Sequence, residues 1–138
     1  MDWILELRHP FLTPVFLALT ALGDESFFLV LLPVGLWLVN RAVFTRLTIL
    51  LMVAAMVNGA LKGWLQVPRP MTEPLVAAEG WSLPSGHAQM AAVLWPWLAF
   101  ELDRRWARYT AAVLVLGVAT SRVYLGVHTP TDLSLIHI

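Results

Sequence analysis

Apolar positions along this chain gather in five stretches free of Asp, Glu, Lys and Arg: residues 10–23, 26–40, 47–61, 88–100 and 109–121. No polar face alternates through them, so each reads as a helix that is apolar all round. Each runs 13 to 15 residues, about 20 Å as a helix, against a bilayer core about 30 Å thick. Taken singly, each suits a buried helix of a water-soluble protein. Together they fill half of the 138 residues, and flanking residues can extend them. Arg and Lys stems lie along lipid with their tips at the interface, and Trp3, Trp64, Trp81 and Trp106 stand where interfacial anchors belong. Pro33 and Pro96 fall inside two stretches and are expected to kink them. The pattern predicts an all-α, polytopic transmembrane bundle with five spans.

Composition sharpens this picture. Apolar residues make up 59% and charged residues 13%, and a soluble domain of this size has too little interior to hide that much apolar surface. Nine basic and nine acidic residues balance, which leaves no basic field for nucleic acid. The absence of cysteine excludes disulfides, zinc-thiolate sites and thiol nucleophiles. Asp2 and Glu6 stand where a cleaved leader carries basic residues.

Five spans place Arg8, Arg41, Arg46, Arg104, Arg105 and Arg108 on one side, cytoplasmic by the positive-inside rule. The N-terminus is then cytoplasmic. The Asp24–Glu25 connection, loop 67–85 and the tail after Arg122 face outward. Three further cations, Lys62, Arg69 and Arg122, border spans on that outer side, together with His87, His128 and Asp132. Cations at membrane depth are costly. Three of them beside two imidazoles describe a site for a phosphate-sized anion, or, one at a time, snorkelling headgroup anchors.

Leu83-Pro84-Ser85-Gly86-His87 enters the fourth span, with Ser85 as the candidate N-cap. A helix start offers free N–H groups to a phosphate, and Gly86 lets a ligand approach the backbone. Ser121-Arg122, five residues, then His128-Thr129-Pro130-Thr131-Asp132 closes the set. A carboxylate on one imidazole nitrogen fixes the tautomer and frees the other nitrogen to attack. Thr129-Pro130-Thr131-Asp132 is equally a helix start, with Thr129 as cap and Asp132 at the third position.

Lys62-(six residues)-Arg69-Pro70, then Pro84-Ser85-Gly86-His87, then Ser121-Arg122-(five)-His128-(three)-Asp132 resembles, in order and spacing, the three-part signature of the type 2 phosphatidic acid phosphatase superfamily. The resemblance covers about half the chain. It implies an all-α core of six transmembrane helices and a lipid phosphatase that uses no metal or other cofactor and works through a phosphohistidine. It implies His128 as nucleophile, Asp132 as its orienting partner and His87 as proton donor to the leaving oxygen. Lys62, Arg69, Ser85, the Gly86 backbone and Arg122 hold the phosphate oxygens. The implied substrates are undecaprenyl pyrophosphate, phosphatidic acid or phosphatidylglycerol phosphate in the outer leaflet of a bacterial-type plasma membrane. Substrate and bulk membrane lipids are the implied partners.

Only six residues follow Asp132, about 9 Å of helix. A single phosphatase domain over 1–138 is therefore expected to be C-terminally incomplete, with 133–138 not native and His137 without a role. Restoring a sixth helix is expected to raise turnover. The alternatives are a lipid phosphotransferase, which delivers the phosphoryl group to an acceptor, a catalytically impaired anionic-lipid binder, which forms no phosphohistidine, and a vanadate haloperoxidase, whose relatives are mostly soluble. Glu73, Glu79 and Trp81 of loop 67–85 are candidates for the specificity surface.

Overall fold

A computed structural model describes Glu6 and residues 8–71 and 73–134. Asp2, Trp3 and His137, named above, lie outside the described residues, as do the other residues of 135–138. The described residues form helices and no strand. Helix α1 (Leu12–Ala21) is followed after three residues by α2 (Glu25–Val34), which continues into a π-helical turn, Gly35–Val39. Helix α3 is Arg41–Leu65, α4 is Gly86–Leu102, α5 is Arg105–Tyr124, and a 3₁₀ turn covers Pro130–Leu133.

Local chemistry sets these boundaries. Asp24 caps α2 by accepting from the Ser26 N–H at 2.9 Å, with Glu25 in the first turn where the helix dipole favours an acid. Asn40 caps α3 by accepting from the Val43 N–H at 3.1 Å. Pro33 lies inside α2, and the regular helix gives way to the π turn directly after it. A Cβ on Gly35 would lie 2.0 Å from the Phe44 ring, so only glycine lets α3 seat against that turn. Pro96 is accommodated within one continuous helix.

Helices α3, α4 and α5 run alternately up and down. Phe28, Phe44, Leu47, Leu51 and Leu94 form the core between α2, α3 and α4. Ala99, Ala107 and Ala111 bring α4 and α5 close, as small residues do between membrane helices. The surface is inverted relative to a water-soluble protein. Leu29, Val30, Met52, Met56, Val113 and Leu116 face outward, while Asn58, Ser82, Ser85, Gln89, Ser121, Arg122, His128 and Asp132 are buried. An apolar exterior of this extent marks a lipid-facing or partner-facing surface.

The expected count of five spans is not confirmed by the helices. Among the described residues α3 alone is long and apolar enough to cross a membrane, joined by the α1–α2 pair if it counts as one bent span. That pair bends by 51°, far from the reversal a hairpin requires, so stretches 10–23 and 26–40 do not run antiparallel to each other. Residues 8 and 9 lie beside the C-terminal end of α5. The Arg8 guanidinium donates to the Glu73 carbonyl at 2.8 Å, and the His9 N–H donates to the Tyr124 hydroxyl at 3.0 Å. Arg8 therefore belongs to the end that carries loop 67–85, not to the opposite end expected for it. Arg41, Arg46, Arg104, Arg105 and Arg108 remain together at the far end.

Candidate functional site

The last turn of α3, loop 67–85, the start of α4 and the segment after α5 meet at one end of the bundle. Asn58 of α3 donates to the Gln89 side chain of α4 at 2.6 Å and lies 3.4 Å from the Pro84 carbonyl. The Ser85 N–H donates to the Asp132 carbonyl at 3.1 Å, and the Ser82 N–H to the Val67 carbonyl at 2.8 Å. These bonds lock three segments that are far apart in sequence.

His128 is 2% exposed. Its Nδ1 lies 3.6 Å from an Asp132 carboxylate oxygen, beyond direct hydrogen bonding. Ser82, which sequence reasoning missed, fills the gap. Its hydroxyl bonds to that same Asp132 oxygen and lies 3.3 Å from His128 Nδ1. With the Ser82 hydroxyl donating to the carboxylate, its oxygen is free to accept from Nδ1–H, which leaves Nε2 with its lone pair. Asp132 also accepts from the Thr129 N–H at 2.6 Å and completes a capping box on the 3₁₀ turn. The two roles open in the sequence, cap and histidine partner, are therefore both filled. The second runs through Ser82 rather than by direct contact.

Arg69 Nη1 lies 3.4 Å from His128 Nε2. Its guanidinium also donates to the carbonyls of Val127 at 2.9 Å, Gly80 at 3.1 Å and Glu79 at 2.7 Å, so it staples the loop to the tail as well as facing the imidazole. Arg122 is buried and donates through Nη1 to Thr20 of α1 at 2.7 Å. Its Nε, and the Ser85 hydroxyl, are buried with no hydrogen-bond partner among the described residues. Ser85 holds the N-cap position of α4 without capping it, contrary to the expected side-chain cap. Lys62 donates to the Trp81 carbonyl at 2.6 Å. A Cβ on Gly86 would find only the Asn58 side-chain oxygen, at 3.6 Å, so packing within the protein does not demand glycine there. His87, in the first turn of α4, pairs through Nε2 with Asp24 at 3.1 Å. Glu73 and Glu79 form no ion pair among the described residues, and their backbone carbonyls make the contacts.

All eight anticipated positions thus sit at one end of the bundle, and Ser82, Thr20 and Asp24 join them. Arg122, Arg69 and Lys62 act electrostatically on His128, and Arg122 and Arg69 also act on His87. Burial, with Arg122 and Arg69 adding to it, pushes the His128 imidazole well below the usual histidine range. The ring is therefore neutral at neutral pH, the form able to attack. The unfolded chain takes up that proton near pH 6.5 while the folded one does not, so stability falls as pH drops below about 6.5. An NMR titration of the folded protein in detergent is expected to leave the His128 ring neutral from pH 7 to about 5. Protonation near the ordinary value overturns the assignment.

Residues 42–135 match the PAP2 superfamily. The chain belongs to that superfamily. PAP2 relatives include phosphatidylglycerophosphatase B of Bacillus subtilis (strain 168), 34% identical over 140 residues, covering 91% of this chain and 68% of that protein. Human sphingosine-1-phosphate phosphatase 2 is 31% identical over 123 residues, covering 81% of this chain and 31% of its own length. The chain thus spans about a third of that longer relative. Among solved structures, a transmembrane PAP2-type phosphatidylglycerolphosphate phosphatase from Bacillus subtilis superposes with a TM-score of 0.88 at 30% identity, covering 95% of this chain and 72% of that one. Aquifex aeolicus LpxE superposes at 0.84 with 24% identity, over 97% and 83%, a likeness of fold. The membership covers the segment that holds all three sequence motifs.

Proposed function

We propose that this PAP2 chain is an integral membrane phosphatase that hydrolyses a lipid phosphomonoester or pyrophosphate through a phosphohistidine. The observation that carries it is that Arg122 Nε and Ser85 Oγ, two of the side-chain donors buried without a partner among the described residues, lie at the end of the bundle that holds a buried neutral imidazole. Unpaired buried donors cost free energy, and a phosphate supplies acceptors for both.

In this mechanism His128 Nε2 attacks phosphorus while Asp132, through Ser82, holds Nδ1–H. Lys62, Arg69, Arg122, Ser85 and the Gly86 N–H hold the equatorial oxygens, the charge neutralisation that phosphoryl transfer requires. His87 donates a proton to the leaving oxygen as the P–O bond breaks, then takes a proton from the water that cleaves the P–N bond. Two imidazoles in opposite protonation states give a bell-shaped pH profile.

A lipid substrate is supported by a cleft of about 580 Å³ running from His87 and Asp24 past Phe28, Leu32, Leu51 and Met90. Its apolar walls suit an acyl or prenyl chain whose phosphate lies at the polar mouth. The five arginines at the opposite end support an extracytoplasmic site in a bacterial-type plasma membrane.

Phosphate release in detergent from phosphatidylglycerol phosphate, phosphatidic acid, sphingosine 1-phosphate and undecaprenyl pyrophosphate tests this function. Release by the wild type that His128→Ala removes supports it. Phosphate appearing on a lipid acceptor instead makes the chain a phosphotransferase. Binding without release or phosphohistidine makes it an anionic-lipid binder.

A further inference from the structure

Resting on the phosphatase function above, we propose that Asp24, delivered by the break between α1 and α2, is the positioning residue for the proton donor His87, matching on the leaving-group side what Asp132 does for His128. Several independent observations converge on it. Asp24 Oδ2 lies 3.1 Å from His87 Nε2, while its other oxygen caps α2. One carboxylate thus fixes both the helix start and the imidazole. The break has to approach α4 closely for this contact. A Cβ on Gly23 would lie 2.7 Å from the His87 carbonyl oxygen and 2.8 Å from Val118, so glycine at 23 lets Asp24 reach the ring. The contact also sits at the mouth of the apolar cleft, which Gly23, Asp24 and His87 all line. That is where the lipid side of a scissile P–O bond comes to lie when its chain occupies the cleft.

The chemistry follows from the charges facing His87. Arg122 of α5 and Arg69 of the loop both act on the ring as positive neighbours. α3 contributes the neutral Asn58 to the same cleft, the α1–α2 break contributes Asp24, and the first turn of α2 contributes Glu25. A phosphate site rich in cations opposes an imidazolium, yet the leaving alkoxide needs a proton. Asp24 offsets that repulsion from outside the phosphate cradle. Accepting from Nε2–H, it leaves Nδ1–H to pass to the leaving oxygen as the P–O bond breaks and the His128–phosphorus bond forms. The carboxylate itself gains no proton.

Asp24→Asn keeps the α2 cap and removes the charge. The expected loss in kcat/KM is roughly 10²-fold on a phosphate ester of a simple alcohol. On para-nitrophenyl phosphate, whose leaving group needs little proton help, the loss is expected to be at least about tenfold smaller. The alkaline limb of the pH profile moves to lower pH, and Asp24→Glu restores part of both effects. Equal losses on the two esters with an unmoved limb mean Asp24 is a cap only, and overturn the proposal. NMR titration of the His87 ring separates this outcome from failure of the phosphatase function. If the wild type releases no phosphate at all, that function fails. The Asp24 assignment then stands if Asn lowers the pH at which the His87 ring loses its proton, and falls if the titration is unchanged.

Discussion

His128→Ala is expected to abolish phosphate release, a loss on the order of 10⁵-fold or more in kcat, the scale on which removing a nucleophile disables a cooperating set. The size follows from the surroundings of the ring. It is buried, its Nδ1 is held by the Ser82–Asp132 relay, and its Nε2 faces Arg69. No other described imidazole shares that relay. Substrate affinity is expected to survive, because Lys62, Arg69, Arg122 and Ser85 remain to hold the phosphate. Stopped turnover with retained binding of a lipid phosphate, measured by phosphate release and by equilibrium dialysis in detergent, distinguishes lost chemistry from lost folding. Residual turnover above about one part in a thousand removes His128 from the nucleophile role. Ser82→Ala tests the relay separately. Its hydroxyl touches no reacting atom in this mechanism, so the expected loss is roughly 10-fold to 10²-fold, about one to two hydrogen bonds' worth of orientation. The loss is expected to fall on kcat rather than KM, and Ser82→Thr is expected to restore part of it.

The sequence and the fold agree most closely where chemistry is set by short spacings. Lys62 to Arg69, Ser85 to His87 and Arg122 to Asp132 each lie at a helix end or across one helix end and the segment that directly follows it, so the motif carries its own local geometry. What joins the motifs is invisible in any of them. Ser82 lies 46 residues from His128 and 50 from Asp132, and Asp24 lies 63 from His87. Neither pairing leaves a periodic trace in the chain. The path of the chain from one apolar stretch to the next is hidden for a different reason. An uncharged stretch reports that a segment avoids water, but not whether the next stretch doubles back. Asp24 and Glu25 between two apolar runs suit a hairpin turn equally well as a bend. The bend wins because Gly23 packs directly on the start of α4 and Asp24 finds a partner there. Arg8 then follows its helix to the site end. The other five arginines flank α3, α4 and α5 at the opposite end.

His87→Ala is the more informative of the two large-effect variants. Phosphoryl transfer to His128 needs a proton for the leaving oxygen, and breakdown of the phosphohistidine needs a base for water; one imidazole serves both. With an alcohol leaving group the first step is expected to slow by roughly 10²–10⁴-fold, so the variant turns over poorly and no intermediate builds up. With para-nitrophenyl phosphate the first step no longer depends on His87, while the second still does. Labelled phosphate is therefore expected to accumulate on the protein as an acid-labile, base-stable phosphoramidate, with a burst of nitrophenol approaching one equivalent per site. The burst must vanish in a chain that also carries His128→Ala. A label on another residue assigns the nucleophile elsewhere. Equal slowing of both esters without a burst confines His87 to holding the phosphate. The Asp24 pairing adds a quantitative constraint, since Asp24→Asn should lower alcohol-ester turnover without exceeding the loss seen in His87→Ala.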